Sequence, residues 1–464
     1  MPIVEQHGLV NATEAAQALL PHYIRKLNTT IAEHDDIFQE LAARGRVEQV
    51  NGFNVQAFYE TAGSPTAGFR FIGERLPGEL RNINGAERRF DARYEKTSVY
   101  MAHVYAGWRY DGLMTEASES GDKFVNVFER QMQRVQNSIR RMKDLFMEGN
   151  GTGEMATVAS VSGDLCTVAV ADTTTANAGE YGLALIRSPN QTINFINPQT
   201  GTARTIDADQ GVVIEEMDHP NNRFRADRTL TGVTAGDLIV EGDDDANSYS
   251  KGPPGMDAAI GDADQATTYL GLDRAAPGLD FLSSRVYNLA SGANCGELNL
   301  ATLARGMIEA DYANGGRINA FTCHPLMLLE GVFGSLVEGG GPTTRQITGM
   351  NQLRRYKETG ALTSGAPRVT VTIGKYGTAD LLPMWGHRPN VIRGVNWDTW
   401  KMYQYQGGLR SIGGGSGKGG QALRVPFRHT YDEGLWHSFT LVCEYPNRNV
   451  RFENVLQLQP VTNG

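Results

Sequence analysis

Apolar residues recur through the stretch 121–148 at Phe124, Phe128, Met132, Val135, Ile139, Met142 and Phe146, in steps of three and four. That spacing is one stripe of an α-helix. Between the stripe members stand Glu129, Arg130, Gln133, Arg134, Gln136, Arg140, Arg141 and Lys143, which make the wet face. Ser118 or Ser120 and Asp122 supply a cap at the start. Gly149-Asn150-Gly151-Thr152-Gly153 supplies the stop, because glycine enters the left-handed cap conformation cheaply. At about 1.5 Å per residue the helix is roughly 40 Å long, beyond the usual three turns. A stripe of that length needs a broad surface to bury it.

The length of 464 residues suggests two to four compact units. A formal charge of −9 is mild on such a chain and argues against binding nucleic acid by bulk attraction. The 54 glycines concentrate in junctions, so many turns and long excursions are expected. Cys166, Cys295, Cys323 and Cys443 lie far apart without a CxxC pair, which fits reduced thiols and not a disulfide framework or a zinc site. The N-terminus has no basic flank followed by an apolar core, so no signal peptide is expected, and no apolar run approaches the ~20 residues that span a bilayer.

In chain order, residues 1–52 read as an arm. A helix starts at Asn11, with Glu14 completing a capping box, and continues to Gly45 with a break or kink at Pro21. Residues 53–112 change character. Gly52 to Tyr59 and Thr97 to Tyr105 read as strands, the second feeding the long helix. Between them lies a mixed-charge excursion carrying Arg70, Arg75, Arg81, Arg88, Arg89 and Arg93 among Glu74, Glu79, Glu87, Asp91 and Glu95. An arm with so little apolar content needs a partner surface. Residues 155–243 show short strands at regular spacing, with a hairpin at Gly163-Asp164, and read as an inserted sandwich or barrel. Residues 244–280 form a polar connector.

From 281 the pattern is mixed. Leu298 to Tyr312 reads as a helix. Ile318 to Pro325 reads as a strand ending at proline, then a helix through Leu336. Val369–Ile373, Leu381–Met384, Val391–Val395, Trp436–Glu444 and Val450–Leu458 follow as strands, with loops at Gly339–Thr344 and Gly413–Gly420. Trp397, Trp400, Tyr403 and Tyr405 mark a buried apolar seam.

No catalytic constellation survives inspection. Gly413 to Gly419 resembles a phosphate loop, but Ile412 occupies the first glycine position and Gly419 replaces the magnesium-holding Ser/Thr. Asp243 to Asn247 alternates oxygens like a calcium loop, but Ser248 replaces the turn glycine and Pro254 the bidentate glutamate. The nine histidines include no HExxH, and Cys323-His324 is adjacent, which points the two side chains apart on a strand. No cofactor or metal site is expected, and the chain does not read as an enzyme. Arg130, Arg134 and Arg141 share a face of the long helix. They suit either a solvated surface or loose, sequence-blind contact with nucleic-acid phosphates.

The order of these parts resembles the major capsid protein of tailed double-stranded DNA bacteriophages, with the Hong Kong 97-type α+β fold. The resemblance is carried by the helical arm, the charged hairpin, the long helix ending in Glu148-Gly149-Asn150-Gly151-Thr152-Gly153, the β insertion and the mixed region around Ile318-Asn319-Ala320-Phe321-Thr322-Cys323-His324-Pro325. It implies that 113–154 is the spine helix of a peripheral domain and 53–112 an extended loop laid over a neighbour. Residues 281–365 and 391–430 would form an axial domain. Residues 366–390 and 431–464 would return to the peripheral domain. Subunits would join as hexamers and pentamers of an icosahedral shell around DNA, assembled in the host cytoplasm. Arg75, Glu79, Arg81, Glu87, Arg88 and Arg89 would make inter-subunit contacts, and Arg130, Arg134 and Arg141 would face the DNA. A separate scaffolding protein, a portal and a decoration or cement protein are the implied partners, with no membrane. An encapsulin-like bacterial nanocompartment shell is the near alternative. A carbohydrate-active enzyme or binding module is the distant one, and it lacks the required carboxylate pair.

Overall fold

The computed structural model describes residues 36–60, 94–111, most of 135–324, 347–348, 369–372 and most of 378–455. The expected helix from Asn11 as far as residue 35, the start of the long helix and the loops at Gly339–Thr344 and Gly413–Gly420 lie outside the described residues.

Helix α1 (Asp36–Ala43) buries Ile37 and Leu41, one turn apart, and stops at Gly45, whose φ of +66° a side chain would strain. Strand β1 (Val47–Val50) follows, then the arm strands β2 (Asn54–Glu60) and β3 (Tyr94–Tyr100), and then β4 (Ala102–Asp111). The single strand expected over Thr97–Tyr105 is therefore two. Met101 donates its N–H to the Phe53 carbonyl at 3.0 Å and turns the chain from one sheet into another.

The long helix, α2, is helical at 135, 138–139 and 142–148 among the described residues. Val135, Ile139, Met142 and Phe146, four members of the stripe, are all buried. Lys143 departs from the expected wet face. It is buried, with its ammonium 4.9 Å from the Phe38 ring and 5.7 Å from Phe439. The helix is thus covered on a second side by α1, which a single stripe does not reveal.

Residues 154–241 close into a barrel. Its strands are β5 (Glu154–Ser162), β6 (Leu165–Val168), β7 (Thr192–Asn197), β8 (Thr202–Ala203), β9 (Val212–Asp218), β10 (Arg223–Ala226) and β11 (Leu238–Glu241). The order β11-β5-β6-β10-β9-β7 returns on itself because β11 also pairs with β7. Gly163, at φ +66°, makes the β5–β6 turn. Met155, Cys166, Phe195, Ile214, Phe224 and Ile239 fill the interior.

After the barrel the chain is not a bare connector. A short helix, α3 (Met256–Ala259), is wholly buried, and β12 (Thr268–Tyr269) pairs with β13 (Leu272–Asp273). Strand β14 (Arg285–Asn288), helix α4 (Leu300–Asn314) and strands β15 (Ala320–Cys323), β16 (Ile347–Thr348), β17 (Val369–Thr372), β18 (Thr378–Pro383) and β19 (Ile392–Val395) come next. Strands β20 (Trp400–Tyr405), β21 (Arg410–Ser411), β22 (Leu423–Arg424), β23 (Thr430–Cys443) and β24 (Val450–Glu453) close the chain.

Two sheets organise these strands. One runs β14-β24-β19-β15-β18-β17-β16. The other runs β1-β20-β23, with β4, β21 and β22 also paired to β23. This pairing crosses the segment bounds drawn from the sequence. Within 366–390, expected beside the spine helix, β18 pairs with β15 and β17 with β18, while Gly386 lies against Asp144 and Glu148 of α2. Strands β20, β21 and β22, within the stretch expected in the axial domain, pair with β23, and β24, expected to stay with β23, pairs with β14 and β19. Hydrophobic patterning gives each strand its faces but not its partner, so these assignments were beyond the pattern.

Candidate subunit interface

Among the described residues the arm strands β2 and β3 pair only with each other, in seven cross-strand pairs from Asn54↔Tyr100 to Glu60↔Tyr94. Period-two alternation splits the ribbon into two faces. Val55, Tyr59, Thr97 and Val99 are buried on the body. The Tyr59 hydroxyl donates to the Cys443 carbonyl at 3.1 Å, its ring stacks on Phe281, and the Thr97 hydroxyl donates to the Leu270 carbonyl at 2.5 Å. Asn54, Gln56, Lys96, Ser98 and Tyr100 face outward and are exposed. The β12–β13 turn and the end of β23 thus hold one face of the ribbon along its length. The sequence reading gave the arm no anchor of its own, and Tyr59 and Thr97 provide one.

Beside the root lies a cluster of rings. Phe53 stacks on Tyr405 at 4.5 Å and meets His103 edge-on at 5.1 Å. Tyr405 stacks on Trp436 at 5.7 Å. The β4–β23 register sets Tyr105 opposite Trp436 and His103 opposite Ser438, whose Oγ lies 2.5 Å from His103 Nδ1. Phe53 is 45% exposed and Tyr105 69%. Strand β20 buries alternate residues, so Trp400 and Met402 face the core while Tyr403 and Tyr405 sit half-buried on the outer side. The expected buried seam is therefore half core and half outer face.

A buried ionic cluster ties the long helix to both the barrel and the strands. Asp257 on α3 accepts from Arg393 Nη2 and Arg451 Nη1, each at 2.6 Å, and pairs with Arg388 Nε at 2.5 Å. Arg393 also pairs with Glu148 and donates to the Glu148 carbonyl at 3.2 Å, capping the end of α2. Arg388 reaches Glu154 of β5 at 3.2 Å, and Arg451 reaches Glu453 at 2.6 Å. Burial pushes the Asp257 pKa up, but the three guanidinium groups outweigh it and hold the carboxyl well below its usual range.

The charged residues singled out in the sequence, Arg75, Glu79, Arg81, Glu87, Arg88, Arg89, Arg130, Arg134 and Arg141, all lie outside the described residues. Cys323 is the buried last residue of β15, and burial pushes its thiol up to about 12. Among the described residues no group of three or more His, Cys, Asp and Glu could hold a metal ion, and no helix is long and apolar enough to cross a membrane.

No family model matches the sequence. No curated protein matches it. Among solved structures, the chain is similar to one titled as the capsid asymmetric unit of cyanophage A-1(L), at a TM-score of 0.46 and 10% identity, over 89% of this chain and 91% of that chain. A native GTA particle capsid is similar at a TM-score of 0.41 and 7% identity, over 90% of each chain. The holo-SrpI encapsulin complex from Synechococcus elongatus is similar at a TM-score of 0.38 and 9% identity, over 92% of each chain.

Proposed function

We propose that this chain is a structural shell subunit: a major capsid protein whose hexamers and pentamers close around double-stranded DNA. The observation that carries the reading is the arm. Two strands pair only with each other among the described strands, one face of the ribbon is pinned to the body, and the other faces outward. They lead into residues 61–93, rich in arginine and glutamate. A ribbon with one bare face and a charged extension of this kind gains stability by lying against another copy. Such a head-to-tail contact, repeated about an axis, makes a ring. Arg75, Glu79, Arg81, Glu87, Arg88 and Arg89 supply ionic contacts to that neighbour, and Arg130, Arg134 and Arg141 face the enclosed DNA without reading its sequence. Separate scaffolding, portal and cement proteins complete the assembly, in the cytoplasm of a host.

Size-exclusion chromatography and negative-stain imaging test the reading. Rings or closed particles are expected from the full chain, and a lone 50.6 kDa species under all assembly conditions would overturn it. Deleting residues 66–92 is expected to leave a folded subunit that forms no closed particles. Normal shells from that deletion would remove the role given to the arm.

A further inference from the structure

We propose that Asn51 is a self-modifying site, where the Gly52 backbone nitrogen displaces the Asn51 side-chain nitrogen and leaves aspartate or isoaspartate in the joint between the body and the arm. It requires no partner and no cofactor. The reaction asks three things of a folded chain. The asparagine must precede a residue with no side chain to block the approach, its amide must be unengaged, and the backbone must be free to bring the next nitrogen onto Cγ.

Asn51, Gly52 and Phe53 link β1, which ends at Val50, to β2, which starts at Asn54. Asn51 and Gly52 are both exposed. Among the described residues no hydrogen bond holds the Asn51 side chain or the Gly52 N–H. A Cβ on Gly52 would meet only the Asn54 carbonyl oxygen, at 4.0 Å, so this peptide has room to turn. Its flanks are pinned instead. The Val50 carbonyl accepts from the Gln406 N–H at 3.2 Å, and the Phe53 carbonyl accepts from the Met101 N–H at 3.0 Å.

The chain supplies its own comparison in Asn150-Gly151, the same residue pair, where Asn150 is also exposed. There Asn150 Oδ1 accepts from the Thr152 N–H at 3.0 Å and from the Thr152 hydroxyl at 2.5 Å. Gly151 sits at φ +88°, and a Cβ on it would lie 3.4 Å from Pro254 Cα and 3.5 Å from the Pro253 carbonyl oxygen. Turning the Asn150 amide for attack costs both hydrogen bonds, whereas turning that of Asn51 costs none. The folded chain should therefore react on the order of tenfold faster at 51 than at 150.

The step balances with water alone. The Gly52 nitrogen gives its proton to solvent base and bonds to Asn51 Cγ. The Cγ–Nδ2 bond breaks, and the side-chain nitrogen leaves as ammonia. Water then opens the five-membered imide at either carbonyl. One water is consumed, one ammonium is released, and a neutral amide becomes a carboxylate. Opening at the main-chain carbonyl gives isoaspartate, which adds one carbon to the main chain between the pinned residues Val50 and Phe53.

The test ages the full chain in mildly alkaline buffer and follows the tryptic peptide 47–70 by mass spectrometry. A gain of one mass unit is expected, placed by fragment ions at residue 51 and not at Asn54, together with labelling by protein isoaspartate methyltransferase. It should accumulate on the order of tenfold faster than the same change at residue 150, and faster still as pH rises. In urea, where the Thr152 bonds are gone, the two rates should approach each other. No change at 51, or a rate at 51 no greater than at 150 in the folded chain, would overturn the proposal. So would a ratio that persists in urea, since flanking sequence and not the fold would then set it. Gly52→Ala, measured both folded and in urea so that folding does not decide the outcome, should slow the change at 51 several-fold. An undiminished rate in both conditions would show that the nitrogen of residue 52 is not the attacking group and would overturn the proposal as well.

Discussion

Asp257 stands among Arg388, Arg393 and Arg451, and its own burial would favour the neutral acid were those cations absent. Removing its charge leaves three partly or wholly buried guanidinium groups sharing fewer acceptors, which is the costly half of breaking a buried ion pair. Asp257→Asn is therefore expected to destabilise the subunit by about 3–5 kcal/mol. A urea midpoint equal to that of the parent would show that the cluster does not hold α2 to the strands. Buried histidines add a second test. Burial lowers His324 to about 4, and burial followed by Lys143 lowers His437 to about 3. His387 is held well below 6.5 by burial, then by Arg393. A histidine with a depressed folded pKa binds its proton more readily when unfolded, so its contribution is full above pH 6.5 and is lost as pH falls toward the folded value. Stability should fall between pH 6 and 4 by up to about 1.4 kcal/mol per pH unit for each such histidine. A flat unfolding midpoint across that range would contradict the burial of all three. Little of this was legible in the sequence. Asp257 sits in a polar Gly/Pro/Asp stretch that gave no sign of being a core. The signal was on the other side: an arginine inside each of the short apolar runs Val391-Ile392-Arg393-Gly394-Val395 and Val450-Arg451-Phe452.

Among elements, the long helix is the part most fully written in the chain. Its stripe repeats often enough that each described member could be placed in the core from spacing alone. Barrel strands were legible for a related reason: β-rich alternation and turn glycines need no knowledge of the partner. Strand pairing between distant segments was not legible, because β15 meets β18 across 60 residues, Ala320 opposite Asp380, and β19 farther still, with no mark of either in the chain. Nor was the contact at the end of α2. A Cβ on Gly255 would lie 2.4 Å from the Phe146 carbonyl oxygen, 2.5 Å from that of Met147 and 2.7 Å from that of Gly149. All three are backbone atoms and cannot swing aside, so α3 must be pushed from the helix end. Gly255→Ala is expected to cost about 1–3 kcal/mol and to speed hydrogen exchange at 142–148. Parent-like exchange there would mean that α3 does not seat the helix.

At the scale of the molecule, the barrel enters and leaves the body at one point. Its first strand pairs with its last, Glu154 opposite Val240, so the two cut ends lie one strand spacing apart, ~4.8 Å. Its interior is filled by its own residues, and the barrel closes through its own hydrogen bonds. An insertion built this way can be removed with little loop entropy to redistribute. The Arg388–Glu154 pair ties it to the body, together with apolar contact, since barrel residues such as Met155 and Val158 belong to one hydrophobic cluster with Met142, Phe146 and Met384, and Arg388 retains Asp257 when the ion pair is lost. Replacing residues 154–241 by a short Gly-Ser link is therefore expected to leave a folded body with α2, both sheets and the arm intact, and that body should still form closed particles. The measurement is circular dichroism for folding together with negative-stain imaging for assembly. An unfolded product would show that the body cannot fold without the apolar contact it makes with the barrel. A folded product that stays monomeric would mean that the barrel itself contributes to contacts between copies, and the role of the arm would then be only part of the assembly.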